Sequence, residues 1–186
     1  MIREILKRSL PPWVVLRMKR HYTSRNWKPE ILRSGSVMIE LTNACQFRCE
    51  TCPRIYSLGK GMKIGNMDFE RFKELVYKNI SDLRAITLTG LGEPFLYPFL
   101  REAVEYIRKK SESIYLFLST NASAPGVRSW IGDIADQIDH LQISIDGVGA
   151  VFETIRKNGD YDSFIRNVET ISEESREKRV EPSVPQ

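Results

Sequence analysis

Four short apolar runs alternate with amphipathic segments along this chain, and that alternation restricts the fold more than any other feature. The runs cover 37–41, 85–89, 114–118 and 141–145 and read as strands. Phe69, Phe72, Val76 and Ile80 recur at helical spacing after the first, and Leu100, Ala103, Val104 and Ile107 after the second. Val127, Trp130, Ile131, Ile134 and Ile138 predict a third helix, a short one is expected over 151–155, and Phe164, Ile165, Val168 and Ile171 mark another. Asp68 is placed to cap the first helix, and Pro98 stands at a favoured first-turn position. Residues 54–66, with Gly59, Gly61 and Gly65, are expected to be irregular, and the chain after Ser172 reads as a charged tail. The later strands start roughly thirty residues apart, the size of a strand–helix–strand unit. Such alternation implies a parallel α/β sheet with right-handed crossovers.

Every cysteine of the chain lies in one loop after the first strand, at Cys45, Cys49 and Cys52. Three thiolates on a short loop cannot all pair as disulfides, but they can converge on one metal centre. Iron–sulfur clusters usually take four cysteines. Three leave one iron without a protein ligand, and an open position on a metal is the usual mark of a reactive site. A zinc site would need His21 or His140 as a fourth ligand, and neither is close in sequence. Inert buried cysteines are the remaining alternative, and their clustering within eight positions speaks against it.

With 186 residues the chain suits one domain with a sizeable core. Few cysteines, all in one loop, fit a reducing compartment and a cytoplasmic protein. The opening residues are charged throughout, and the run Trp13-Val14-Val15-Leu16 is too short for a signal core or a membrane span. Net charge is +4, with +7 over residues 1–35 and −3 over the rest. Residues 2–22 read as one or two helices broken at Pro11-Pro12, so 1–35 is expected to be a basic helical extension and 36–186 the core domain. A basic start can meet a membrane surface or an acidic partner. The favoured reading is a helical arm with a solvated basic face, and nothing indicates nucleic acid.

Each strand exit carries polar or glycine-rich residues, as reactive βα barrels do where strands give way to loops. The first exit holds the cysteines, the second Gly90, Gly92 and Glu93, the third Thr120 and Asn121, and the fourth Ser144, Asp146 and Gly147.

The Cys45-x3-Cys49-x2-Cys52 spacing closely resembles the cluster loop of the radical S-adenosylmethionine (radical SAM) superfamily, and Gly90-Leu91-Gly92-Glu93-Pro94 resembles its glycine–glutamate motif. The resemblance implies a parallel-stranded partial (βα) barrel, here with about four βα units. It implies a 4Fe-4S cluster held by the three cysteines, with S-adenosylmethionine on the fourth iron. Gly90, Gly92 and Glu93 would bind the methionine amino group, and Thr51, where an aromatic residue is frequent, would offer backbone to the adenine. Asn121 lies in Ser119-Thr120-Asn121, which resembles the family's strand-three ending. Ala122 stands where glycine is common, implying a loop of different shape. Ser144-Ile145-Asp146-Gly147 followed by Arg156 resembles the peptide- and protein-modifying, SPASM-type branch. By that likeness Ser144 contacts S-adenosylmethionine and Arg156 pairs with its carboxylate, the alternative for Arg156 being a surface helix charge. Asp146 would bind ribose or close a turn.

The implied activity is reductive cleavage of S-adenosylmethionine to a 5′-deoxyadenosyl radical that abstracts hydrogen. The electron donor would be a reductase, flavodoxin or ferredoxin. A peptide or protein substrate is expected ahead of a carbohydrate or small metabolite. Groups acting on the substrate itself are not identifiable in the sequence. A complete core of this kind usually has six βα units. Residues 180–184 could begin a fifth strand, but a sheet ending at strand four exposes an unpaired edge, so either another chain covers it or, the favoured reading, the sequence is the N-terminal part of a core. The rival readings are a non-catalytic iron–sulfur or zinc module and an inactive truncated product.

Overall fold

The computed structural model describes residues 35–177. The strands are β1 (Ser36–Ile39), β2 (Ala85–Leu88), β3 (Tyr115–Thr120) and β4 (His140–Ile143). They form one parallel sheet in the order β1-β2-β3-β4. Sequence neighbours are therefore sheet neighbours, and each connection must carry the chain back along the sheet. The helices are α1 (Ser57–Lys60), α2 (Phe69–Asn79), α3 (Leu100–Lys110), α4 (Val127–Ile134), α5 (Ala150–Ile155) and α6 (Tyr161–Glu177).

The period-two alternation of the strands separates the two faces of the sheet. Register sets Ile86 between Val37 and Leu116, and Leu88 between Ile39 and Leu118. Ile86, Leu88, Leu116 and Leu118 join Phe72 and Val76 of α2, Leu100, Val104 and Ile107 of α3, and Ile131 and Ile134 of α4 in one buried core. Residues of the other face are far less covered. Met38 is 67% exposed and Tyr115 47%, and Phe117 stacks on the exposed ring of His140. In a closed barrel this second face would point inward.

The helices begin and end for local reasons. Asp68 caps α2 by accepting from Arg71 N at 2.8 Å. In α3 the last turn carries Arg108, Lys109 and Lys110, which suit the negative end of the helix dipole. Arg108 also ties helix to sheet. Its guanidinium donates to the carbonyls of Gln137 and Ile114, each at 2.6 Å, and pairs with Asp139 at 2.6 Å. Asp139 Oδ2 accepts from Leu116 N as well, at 2.6 Å. Burial alone would raise the Asp139 carboxyl, but the Leu116 N–H and the Arg108 guanidinium outweigh it and hold the group below its ordinary value.

Several boundaries depart from expectation. β1 and β4 stop at Ile39 and Ile143, two residues short of the apolar runs, because the residues beyond belong to the functional loops. Residues 54–66 are less irregular than their glycines suggest, holding a 3-10 turn at Pro53–Ile55 and the short α1. Pro98 precedes α3, whose N-cap is Phe99. The expected tail after Ser172 continues α6 to Glu177. The expected N-terminal helices and the fifth-strand segment 180–184 lie outside the described residues. Among those described, no helix is long and apolar enough to cross a membrane.

Asp139→Asn removes the charge from the Arg108 clamp and is expected to lower unfolding stability at neutral pH by about 1–2 kcal/mol. A folded-state carboxyl held low contributes stability above its unfolded value and loses it as pH falls. The difference between wild type and variant should therefore shrink below about pH 4 in urea melts followed across pH.

Candidate active site

The chain leaves β1 through Leu41 and Thr42 into the cysteine loop, and this loop is bolted down on three sides. Residues 65–67 run beside it, with Met67 N donating to Leu41 O at 2.8 Å and Thr42 Oγ1 to Gly65 O at 3.3 Å. The end of α5 holds its middle: Arg48 N donates to Lys157 O at 3.0 Å and Glu50 N to Ile155 O at 2.8 Å. Phe47 is buried there, edge-on to Phe152 of α5. The third contact is the loop after β2, where Glu93 N donates to Ala44 O at 2.7 Å.

Gly92 makes that third contact possible. A Cβ at this position would lie 2.0 Å from Thr42 O and 2.8 Å from Ala44 O. The glycine is thus required by close packing of two backbones. Glu93 follows, 2% exposed. Its Oε1 accepts from Thr120 Oγ1 at 2.7 Å and from Phe95 N at 3.3 Å, and its Oε2 accepts from Asn121 N at 2.8 Å. A carboxylate offers about four acceptor positions, so one remains. Burial pushes Glu93 above its ordinary value despite these donors, and a cation placed against it would draw it back down.

The loop after β3 keeps the shape a glycine would give. Ala122 has φ 53°, in the left-handed region, at a cost of about 1 kcal/mol. It is held there by Thr120 Oγ1, which accepts from Ala122 N at 3.0 Å, and by Asn167 of α6, which donates to Ala122 O at 2.8 Å.

Arg156, just beyond α5, is buried and 6% exposed, so the alternative of a surface charge is overturned. Its Nη2 pairs with Asp146 Oδ2 at 2.8 Å, and its guanidinium lies 5.9 Å from the Phe152 ring. Its Nε has no hydrogen-bond partner. A buried donor without an acceptor is costly unless a ligand satisfies it.

These loops enclose a cavity of about 490 Å³ at the C-terminal ends of the strands. All eleven predicted residues line it: Cys45, Cys49, Cys52, Thr51, Gly90, Gly92, Glu93, Asn121, Ser144, Asp146 and Arg156. The cysteines are free and half-buried. Burial pushes the Cys45 and Cys49 thiols up; Glu93 and Cys52 add to this at Cys45, while Arg156 opposes it at Cys49. Among the described residues no three His, Cys, Asp or Glu side chains are close enough to share a single ion, as a zinc site requires. His140 does not line the cavity. A four-iron cube asks for something different, one thiolate at each of three corners, and its thiols need only face one space. The donor set and the unpaired Arg156 Nε fit such a cluster with a carboxylate-bearing ligand beside it.

Sequence reasoning missed Gln46, whose Nε2 donates to Asn121 Oδ1 at 2.9 Å, and Phe47. Only their positions between the cysteines could have drawn attention to them. It also left out Glu40, which accepts from Leu91 N and packs where a Gly90 Cβ would go.

Fold and cavity together define a parallel α/β protein with a cysteine-lined cavity at its strand exits. The sequence model of the radical SAM superfamily matches residues 39–180. The chain belongs to the radical SAM superfamily, an enzyme superfamily whose cofactors are a 4Fe-4S cluster and S-adenosylmethionine. No curated protein sequence matches it closely enough to count as a relative. Among solved structures it is similar to SuiB of Streptococcus suis bound to the precursor peptide SuiA, with 12% identity, TM-score 0.59, and coverage of 89% of this chain and 37% of that one. SuiB bound to S-adenosylmethionine gives the same score and identity, with 38% of that chain covered. BtrN in complex with AdoMet and 2-DOIA is similar at 18% identity and TM-score 0.51, over 70% of this chain and 54% of that one. The chain thus spans between about a third and about a half of the length of these proteins.

Gly92→Ala is expected to force the two loops apart. Overpacking of this kind costs about 2 kcal/mol. Iron uptake on anaerobic reconstitution should fall well below wild type, as read by iron and sulfide content.

Proposed function

We propose that this chain provides the cofactor-binding region of a radical SAM enzyme that acts on a peptide or protein substrate. One observation carries the reading: three free thiols, a buried acid and a buried base with an unsatisfied N–H all face one cavity. When bound, the reduced cluster and S-adenosylmethionine supply one-electron cleavage of the sulfonium C5′–S bond, giving methionine and a 5′-deoxyadenosyl radical that removes a hydrogen atom from the substrate.

The protein's part is to bind and orient. Cys45, Cys49 and Cys52 each hold one iron. Glu93 and the carbonyls around Gly90 and Gly92 present negative charge to an ammonium. Arg156, steadied by Asp146, presents its free Nε to a carboxylate. Arg156 lies near enough for Glu93 to feel its charge, and an amino-acid zwitterion would bridge such a pair. Ser144 and the backbone at Thr51 flank the remaining space, where ribose and adenine would lie. The strand-four likeness to peptide-modifying members supports the substrate class, as does the similarity to a fold crystallised with a precursor peptide. The less covered sheet face gives a long substrate an approach to the same rim.

Anaerobically reconstituted protein should hold about four irons per chain. With S-adenosylmethionine and dithionite it should yield 5′-deoxyadenosine, measured by chromatography. Each of Cys45→Ala, Cys49→Ala and Cys52→Ala should abolish the product. Iron present with no S-adenosylmethionine cleavage would favour an electron-carrying module.

Arg156→Met removes a charge-assisted fork, and loss of such a contact should weaken S-adenosylmethionine binding by about ten- to a hundredfold. Equilibrium dialysis of the loaded protein measures this. An unchanged affinity would remove Arg156 from the ligand site.

A further inference from the structure

Asn121 follows the last residue of β3 and is 7% exposed. Its carboxamide has one orientation. Oδ1 accepts two hydrogen bonds, from Gln46 Nε2 at 2.9 Å and from Ser123 N at 2.9 Å. The second donor is a main-chain N–H, which cannot become an acceptor, so Oδ1 and Nδ2 cannot exchange places. The backbone is fixed too, since Asn121 N donates to Glu93 Oε2 at 2.8 Å. Nδ2 is left facing the sulfur of Cys45 at 3.5 Å. Among the described residues, no other side chain donates to a cysteine sulfur.

We propose that Asn121 is a positioning residue that donates a hydrogen bond to the Cys45 sulfur and so raises the reduction potential of the four-iron cluster. The inference rests on the reading above that the cysteines hold that cluster. Reduction adds one electron, and the added charge spreads onto the thiolate sulfurs. An N–H dipole aimed at one sulfur stabilises the more negative state. Gln46 and Ser123 act at one remove, by holding the amide in place. The iron on Cys45 is therefore set apart from those on Cys49 and Cys52 by a side-chain donor.

The test uses the full chain, reconstituted anaerobically with ferrous iron and sulfide, without S-adenosylmethionine. Iron and sulfide content is measured first, and the midpoint is then found by EPR-monitored redox titration. Asn121→Asp keeps the shape and replaces the donor with an acceptor, and Asn121→Leu removes the donor. Both should load iron as wild type does and show a more negative midpoint, with the ratio of reduced to oxidised cluster at a fixed potential falling about tenfold, equivalent to 59 mV for a one-electron couple. Gln46→Ala, which frees the amide, should shift the midpoint the same way by less. Loaded variants with an unchanged midpoint would overturn the proposal. A second measurement needs no variant: wild type carrying ¹⁵N-amide asparagine should show a weak ¹⁵N coupling to the reduced cluster in pulsed EPR, and its absence would overturn the proposal even where a variant fails to fold. Wild type that takes up no iron would overturn the cluster reading itself.

Discussion

The buried carboxylate of Glu93 is the joint on which the site depends. Its backbone N–H is bonded to Ala44 of the cysteine loop, and its side chain holds Thr120 and Asn121 at the end of β3. Three strand exits are thereby locked to one another through a single residue. A carboxyl with this little solvent needs its donors, which are Thr120 Oγ1, Phe95 N and Asn121 N. Removing the acid would strand the Asn121 N–H in the interior and release the amide that faces Cys45. The packing of Gly92 on Thr42 works in the same direction, since it sets the distance at which Glu93 can reach Ala44.

The second constraint is the asymmetry of the sheet. One face is sealed by helices, with Ile86, Leu88, Leu116 and Leu118 fully buried, and it carries the apolar burial that holds the strands in register. The other face has Met38 and Tyr115 well exposed. The functional loops sit on the rim and draw support from the helices. Asn167 of α6 fixes the loop after β3, and α5 fixes the cysteine loop. Phe152 and Phe164 of these helices belong to the same core as the strands, so a rim rich in buried polar groups rests on an apolar core.

Much of the fold was legible because its signals are periodic. The helical spacing of Phe69, Phe72 and Val76 and the β-branched run at 85–89 report burial directly, and both elements lie where they point. Boundaries were less legible where propensity met function: the run ending at Ile145 is apolar, but the chain leaves the sheet at Ile143, so that Ser144 and Asp146 can face the cavity. The site was legible in its residue types, since all the predicted residues meet in one place. What spacing could not convey was how they are held. Nothing in the sequence says that Gly92 is demanded by the Thr42 carbonyl, or that Gln46 orients Asn121, because both contacts join segments distant along the chain. Ala122 adopts a left-handed φ that alanine disfavours, and the hydrogen bonds it makes with Thr120 and Asn167 outweigh that local cost.

Charge explains why the rim tolerates so many buried polar groups. Burial pushes Glu93 and the thiols of Cys45 and Cys49 above their ordinary values, so the cavity disfavours their charged forms until something positive stands against them. The Arg156 guanidinium is steadied by its ion pair with the half-exposed Asp146. A cationic iron–sulfur core draws the thiols into their charged state, and an ammonium does the same for Glu93. On the proposed reading each newly charged group would have a partner, and the unpaired Nε of Arg156 would gain one from a carboxylate. The groups of the cavity would then become satisfied together, with metal and zwitterion both in place.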